Sequence, residues 1–135
     1  MRRGVRYVND SKATNVDSTL VALRSFPGEI HLILGGKGKS QDFSPLASLV
    51  SQRCAAVYLI GEDAGEIGGA LAGAGVSLIP AGDLEHAVAI AARDAVDGAV
   101  VLLSPACASF DQYRDYEARG NHFRTLAVGL VEGSD

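Results

Sequence analysis

The sequence predicts an α/β domain: a mostly parallel sheet of about five strands with helices on both faces. Three observations lead there. Short apolar runs at Val5–Val8, Ile30–Leu34, Ala56–Ile60, Val76–Ile79 and Ala99–Leu103 alternate with longer segments of helical periodicity. The central runs are apolar at consecutive positions, the pattern of strands buried on both sides. Regular strand–helix alternation is the signature of a parallel sheet with helical crossovers, here a Rossmann-like one.

Each element follows from local signals. Val5-Arg6-Tyr7-Val8 is short and β-rich, and Asn9-Asp10-Ser11 are turn formers that stop it. Val16, Leu20, Leu23 and Phe26 recur at helical spacing, with Thr14 or Asn15 as N-cap, Asp17 in the first turn and Pro27-Gly28 at the end. Ile30–Leu34 is closed by Gly35-Gly36 and a polar loop to Gln41. Ser44-Pro45 then pairs an N-cap with proline at the first helical position, and Leu46, Leu49 and Val50 carry a stripe to about Arg53. Ala56–Ile60 ends at Gly61. A weaker helix is expected around Glu62–Ala72, where Ile67 and Leu71 are four apart but Gly65, Gly68 and Gly69 each lower the propensity. After the short strand Val76–Ile79, Asp83 caps an alanine-rich helix to Ala95 with Leu84, Val88 and Ala91 or Ala92 facing inward. Asp97-Gly98 turns the chain into Ala99–Leu103. The Ser104–Ser109 stretch is expected to open a helix whose start would offer hydroxyls and free N–H groups to an anion. Gly120 should split that helical region, with Phe123, Leu126, Ala127 and Leu130 forming the final amphipathic part.

The 135 residues suffice for one compact domain, and a hydrophobic fraction of 47% with 21% charged residues places the chain among globular folds. No apolar run approaches the roughly 20 residues of a membrane span, and the start MRRGVRYVND lacks an apolar signal region, so a cytoplasmic protein is expected. Cys54 and Cys107 lie far apart without C-x-x-C spacing, which suggests packed thiols and neither zinc nor disulfide. A net charge of −4 argues against nucleic-acid binding.

Ligands of such sheets bind at the carboxyl ends of the strands, which directs attention to the loops Asn9–Asn15, Gly35–Gln41, Gly61–Asp63, Pro80–Asp83 and Ser104–Asp111. Gly35-Gly36-Lys37-Gly38-Lys39-Ser40 ends like a phosphate loop, but Ile33 occupies the place of the required first glycine. It also lacks the G-x-G-x-x-G fingerprint, and what remains is a loop with two ammonium groups at the ligand edge. In Asn9–Asn15, Asp, Ser, Thr and Asn are ordinary cap residues, whereas Lys12 opposes the helix dipole by about 0.3–1 kcal/mol and so hints at an anionic partner. Ser104, Cys107 and Ser109 raise the question of a nucleophile, yet no G-x-S-x-G elbow is present and His31, His86 and His122 are scattered. Asp111, Asp115 and Glu117 alternate with Arg114 and Arg119, which reads as a solvated, ion-paired helix face.

Three separated motifs, NDSKATN at Asn9–Asn15, GGKGKSQDF at Gly35–Phe43 and LLSPACASFDQYRDYEARGNHF at Leu102–Phe123, closely resemble the C-terminal domain of the Mur ligases. Order, spacing and position at the strand–helix junctions all fit, over nearly the whole chain. Ser11-Lys12-Ala13-Thr14 is similar to the D-glutamate-adding branch, where sister ligases carry an aromatic residue and a histidine after the aspartate. The resemblance implies a single domain over residues 1–135, without the central ATPase and N-terminal UDP-binding domains, the chain beginning at a domain cut. It implies a part in ATP-dependent ligation of D-glutamate to UDP-N-acetylmuramoyl-L-alanine through an acyl phosphate, with ATP and Mg2+ used by the full-length enzyme and none held by this domain alone. Asp10 would bind the ribose and Lys12 would lie near nucleotide or phosphate. Thr14, Lys39, Ser109, the backbone N–H of Phe110 and the Tyr116 region would hold D-glutamate; the family also allows Leu and Phe where Phe110 and Tyr116 stand. No catalytic residue or metal ligand is assigned to the domain, which would be inactive alone and monomeric, without nucleic-acid or membrane partners. A free-standing binding or interaction module is the alternative, favoured if no P-loop precedes the chain in its gene. An amidase or esterase using Cys107 or Ser109 is a third, excluded if thiol- and serine-directed reagents label neither.

Overall fold

The computed structural model describes residues 4–26, 29–37 and 41–132. Five strands, β1 (Arg6–Asn9), β2 (Ile30–Gly35), β3 (Cys54–Ile60), β4 (Ser77–Gly82) and β5 (Val100–Leu103), form one sheet of order β1-β5-β2-β3-β4. Every strand pair is parallel. Five α-helices accompany it: α1 (Val16–Ser25), α2 (Ala47–Arg53, preceded by a 3-10 turn at Ser44–Leu46), α3 (Ala64–Leu71), α4 (Leu84–Asp94) and α5 (Tyr116–Glu132).

The consecutive apolar strands divide their side chains between two cores. Leu32, Leu34, Val57, Leu59, Val100 and Leu102 meet Leu23 of α1, Val50 of α2 and Ile67 and Leu71 of α3 on one face. On the other, Ile33, Tyr58, Ile60, Val101 and Leu103 meet Leu84, Val88 and Ala91 of α4 and Phe123 of α5. The chain adds strands in one direction from β2 to β4, then returns to insert β5 between β1 and β2. That return places the loops after β1, β2 and β5 side by side at the carboxyl edge.

Most elements match the expected ones within two or three residues. Asn15 is the cap of α1, accepting from the Ser18 N–H at 2.9 Å, and Asp83 caps α4 by accepting from the His86 N–H at 2.9 Å. β4 runs on to Gly82 through Pro80, which an edge strand tolerates because one side of its ladder is unpaired. The expected end of α1 at Pro27-Gly28 falls outside the described residues; the helix itself stops at Ser25.

Two expectations about the segment after β5 are corrected. No helix opens at Ser104: residues 104–115 are irregular and helix resumes only at Tyr116. Ala106 adopts a left-handed backbone with φ 64°, and the N–H groups of Ala106 and Ala108 donate to Ala13 and Lys37 instead of to a helix ladder. Nor does Gly120 divide the final helix, which runs through it unbroken. The glycine answers a packing need, since a Cβ there would lie 3.1–3.2 Å from the Asn9 amide and Ser11 Cβ.

Candidate functional site

The Ser104–Ser109 turn is wholly buried, so its backbone groups must find protein partners, and they find them in the neighbouring loops. Lys37 and Ala108 pair antiparallel, Lys37 N–H donating to Ala108 O at 2.9 Å and Ala108 N–H returning to Lys37 O at 3.1 Å. Gly35 N–H donates to Pro105 O at 3.0 Å. Gly36, at φ 135°, passes so close that a Cβ would stand 2.3 Å from Ala108 O, which only glycine permits. The amide of Gln41 spans two loops: Oε1 accepts from the Val16 N–H at 3.1 Å and Nε2 donates to Ala106 O at 2.7 Å.

The loop after β1 is fastened to the start of α5. Asn9 Nδ2 donates to Gly120 O at 3.1 Å, and Ser11 Oγ donates to Tyr116 O at 2.7 Å. Arg119 completes the latch, donating through Nε to Ser11 Oγ at 2.9 Å and through Nη2 to Ser11 O at 2.7 Å. Asp115 starts the helix, its Oδ1 accepting from the Ala118 N–H at 2.8 Å.

Arg119 overturns the reading of this stretch as a solvated charged face. It is only 1% exposed, and Nη1 has no hydrogen-bond partner among the described residues. Burial lowers its pKa to about 10, which still leaves the guanidinium charged at neutrality. Asp111 also departs from that reading: its Oδ2 accepts from the Glu62 N–H at 2.8 Å. The exposed pair of Arg114 with Asp115, 3.6 Å apart, is the part that fits. Helical spacing could have exposed the error, because Tyr116, Arg119, Gly120 and Phe123 share one helix face and Phe123 is plainly apolar.

The residues that the resemblance assigns to ligands fall into two groups. Asp10 and Lys12 line a cleft of about 580 Å³ between β1 and α1, floored by Val8, Ala22 and Phe26. Asp10 is partly committed, with Oδ2 accepting from Ser104 Oγ at 2.9 Å. Lys12, exposed, also borders a smaller hollow of about 260 Å³ with Ser11, Tyr116 and Asn121. Thr14, Ser109 and Phe110 line neither hollow. Ser109 is buried, its Oγ has no partner among the described residues, and its carbonyl accepts from the Gln112 and Tyr113 N–H groups. Phe110 is exposed, at 66%. Lys39 lies outside the described residues. The anion site expected from a helix start at Ser104 is withdrawn with that helix; of the two buried hydroxyls in this turn, Ser104 Oγ donates to Asp10 and Ser109 Oγ has no partner among the described residues.

Among the described residues, no base lies within hydrogen-bond reach of Cys107 or Ser109. Cys107 is fully buried, and burial pushes its thiol up to about 12. Each histidine is engaged elsewhere: His31 with Tyr58, His86 with Asp83 and His122 with the Tyr113 hydroxyl. Both cysteines are free. Among the described residues no three His, Cys, Asp or Glu side chains gather to hold a metal ion, and no helix is long and apolar enough to cross a membrane.

Comparison with known proteins agrees with this geometry. The family described as Mur ligase, glutamate ligase domain, matches residues 1–107. A UDP-N-acetylmuramoylalanine–D-glutamate ligase of Marinobacter nauticus is 52% identical over 130 residues, covering 94% of this chain and 29% of its own length. The proteins of that name from Koribacter versatilis and Cupriavidus pinatubonensis are 49% and 54% identical, over 96% and 94% of this chain and 28% and 25% of their own lengths. The chain thus spans between a quarter and three tenths of these curated relatives. Three loops brought together at one edge of a parallel sheet, and a match across most of the sequence, place this chain in the Mur ligase family, as its glutamate ligase domain.

Proposed function

We propose that the chain is the D-glutamate-binding and nucleotide-contacting domain of a cytoplasmic, ATP-dependent ligase of peptidoglycan synthesis. The reaction would join D-glutamate to UDP-N-acetylmuramoyl-L-alanine: ATP phosphorylates the L-alanyl carboxylate, the D-glutamate amine attacks the acyl phosphate, and phosphate leaves. The observation carrying the reading is that the three motifs, far apart in sequence, converge on one sheet edge through Lys37–Ala108, Gln41–Ala106 and Ser11–Tyr116 contacts. The names of the curated relatives point the same way.

In this reading Lys12 faces nucleotide phosphates across the cleft and Asp10 offers the carboxylate oxygen that Ser104 leaves free to a ribose hydroxyl. Thr14, Lys39, Ser109, the Phe110 N–H and the Tyr116 region receive the two carboxylates of D-glutamate. A dianionic amino acid requires a cation and converging donors, and the buried Ser109 hydroxyl, without a partner among the described residues, is one such donor. Magnesium, the triphosphate loop and the muramoyl nucleotide seat belong to the domains that this chain does not include.

The test is Lys39→Ala in the complete ligase. Loss of one charge-assisted contact should raise the KM for D-glutamate by roughly tenfold to a hundredfold, with the KM for ATP within about twofold of the parent. Unchanged dependence on D-glutamate would remove Lys39 from the site.

A further inference from the structure

We infer that Gln41 is a positioning residue for the acceptor amino acid, an inference that rests on the D-glutamate reading above. Among the described residues its amide is the one side chain that ties the loop after β2 both to the start of α1 and to the turn after β5. Val16 N–H belongs to the first turn of α1, where no helical carbonyl is available, and Oε1 of Gln41 satisfies it. Nε2 donates at the other end to the carbonyl of Ala106, the residue held left-handed in the buried turn.

The contact requires a donor and an acceptor on one planar group at this reach. Glutamate can accept but not donate, asparagine is one methylene short, and methionine fills the volume with neither function. The residues assigned to D-glutamate lie close along the chain to the three points joined: Thr14 precedes Val16 by two, Lys39 precedes Gln41 by two, and Ser109 follows Ala106 by three. Lys37, through backbone pairing with Ala108, and Gln41, through its bond to Ala106, are both fastened to the turn after β5. The amide therefore sets the mutual spacing of the segments that meet the acceptor without itself touching it. Misplacement of binding groups by about 1 Å costs up to about a hundredfold in rate, so a spacing residue should be visible in kinetics.

The experiment compares Gln41→Met, Gln41→Glu and Lys39→Ala in the complete ligase, measuring KM for D-glutamate and for ATP, kcat and the melting midpoint. Gln41→Met should raise the KM for D-glutamate about tenfold and Gln41→Glu, which keeps one hydrogen bond, less than Gln41→Met, both with the KM for ATP within about twofold. If Gln41→Met does not fold, Gln41→Glu decides, with an expected rise of at least about threefold. A KM for D-glutamate within twofold of the parent, or equal deterioration for D-glutamate and ATP, overturns the inference. Lys39→Ala separates the two levels: no effect there removes Lys39 from the D-glutamate site on which the inference rests, whereas an effect there with none at Gln41 sinks only the positioning role.

Discussion

A buried guanidinium with no ion-pair partner among the described residues is the most consequential single residue of the fold. Arg119 holds Ser11 through two donors in a fixed fork and reaches, through the Ser11 hydroxyl, the first carbonyl of α5. Lysine has no such fork, so Arg119→Lys keeps the charge and loses the geometry. The substitution should lower unfolding stability by about 2 kcal/mol, the scale of hydrogen bonds to a charged group, read as a fall in denaturant midpoint at unchanged slope. Nothing in composition marks Arg119 as interior. Amid Asp111, Arg114, Asp115 and Glu117 it looks like one more surface charge, and only registering the helix on Phe123 turns it inward. Ala106 was illegible for the opposite reason, because alanine carries no signal for a left-handed backbone.

At the level of elements, sequence served well wherever signals were local. Asp83, a single capping carboxylate, determines where α4 begins. Asp83→Ala should cost about 1 kcal/mol, measurable by denaturation at neutral pH. Strand positions were equally legible, since consecutive apolar residues between turn formers have few other uses. What could not be read was the segment after β5, where the Ser-Pro signal of a helix start is genuine but long-range partners override it: Ala13, Lys37 and Gln41 claim the backbone groups that a helix would need. The site shares this limit. Its residue types were legible as motifs, while their junctions through Gln41 and Arg119 depend on contacts distant in sequence.

For the molecule as a whole, His31 couples stability to pH. It bonds Tyr58 through Nδ1 at 2.8 Å; Tyr58 Oη donates to Asp94 at 3.3 Å, so His31 carries the shared proton. Its Nε2 is buried without a partner among the described residues, and protonation would place a donor there with no acceptor among them. Desolvation accordingly lowers the pKa below the ordinary 6.5, although the charges of Glu29 and Asp94 pull the other way and Arg93 lies beside Asp94. The unfolded chain then takes up the proton first: the contribution is fully present above about 6.5 and is lost as pH falls toward the folded value. His31→Gln should flatten the decline in denaturant midpoint between about pH 7 and 5, and an identical decline in both proteins would locate the dependence elsewhere. The strand order has a consequence for biosynthesis. β5, the last of the five described strands to be synthesised, is among them the only partner of β1 and fills the space between β1 and β2. Among the described strands β1 has no partner until β5 is translated, so nascent chains stalled before Val100 should remain open to proteolysis at β1 however complete their β2–β4 portion becomes.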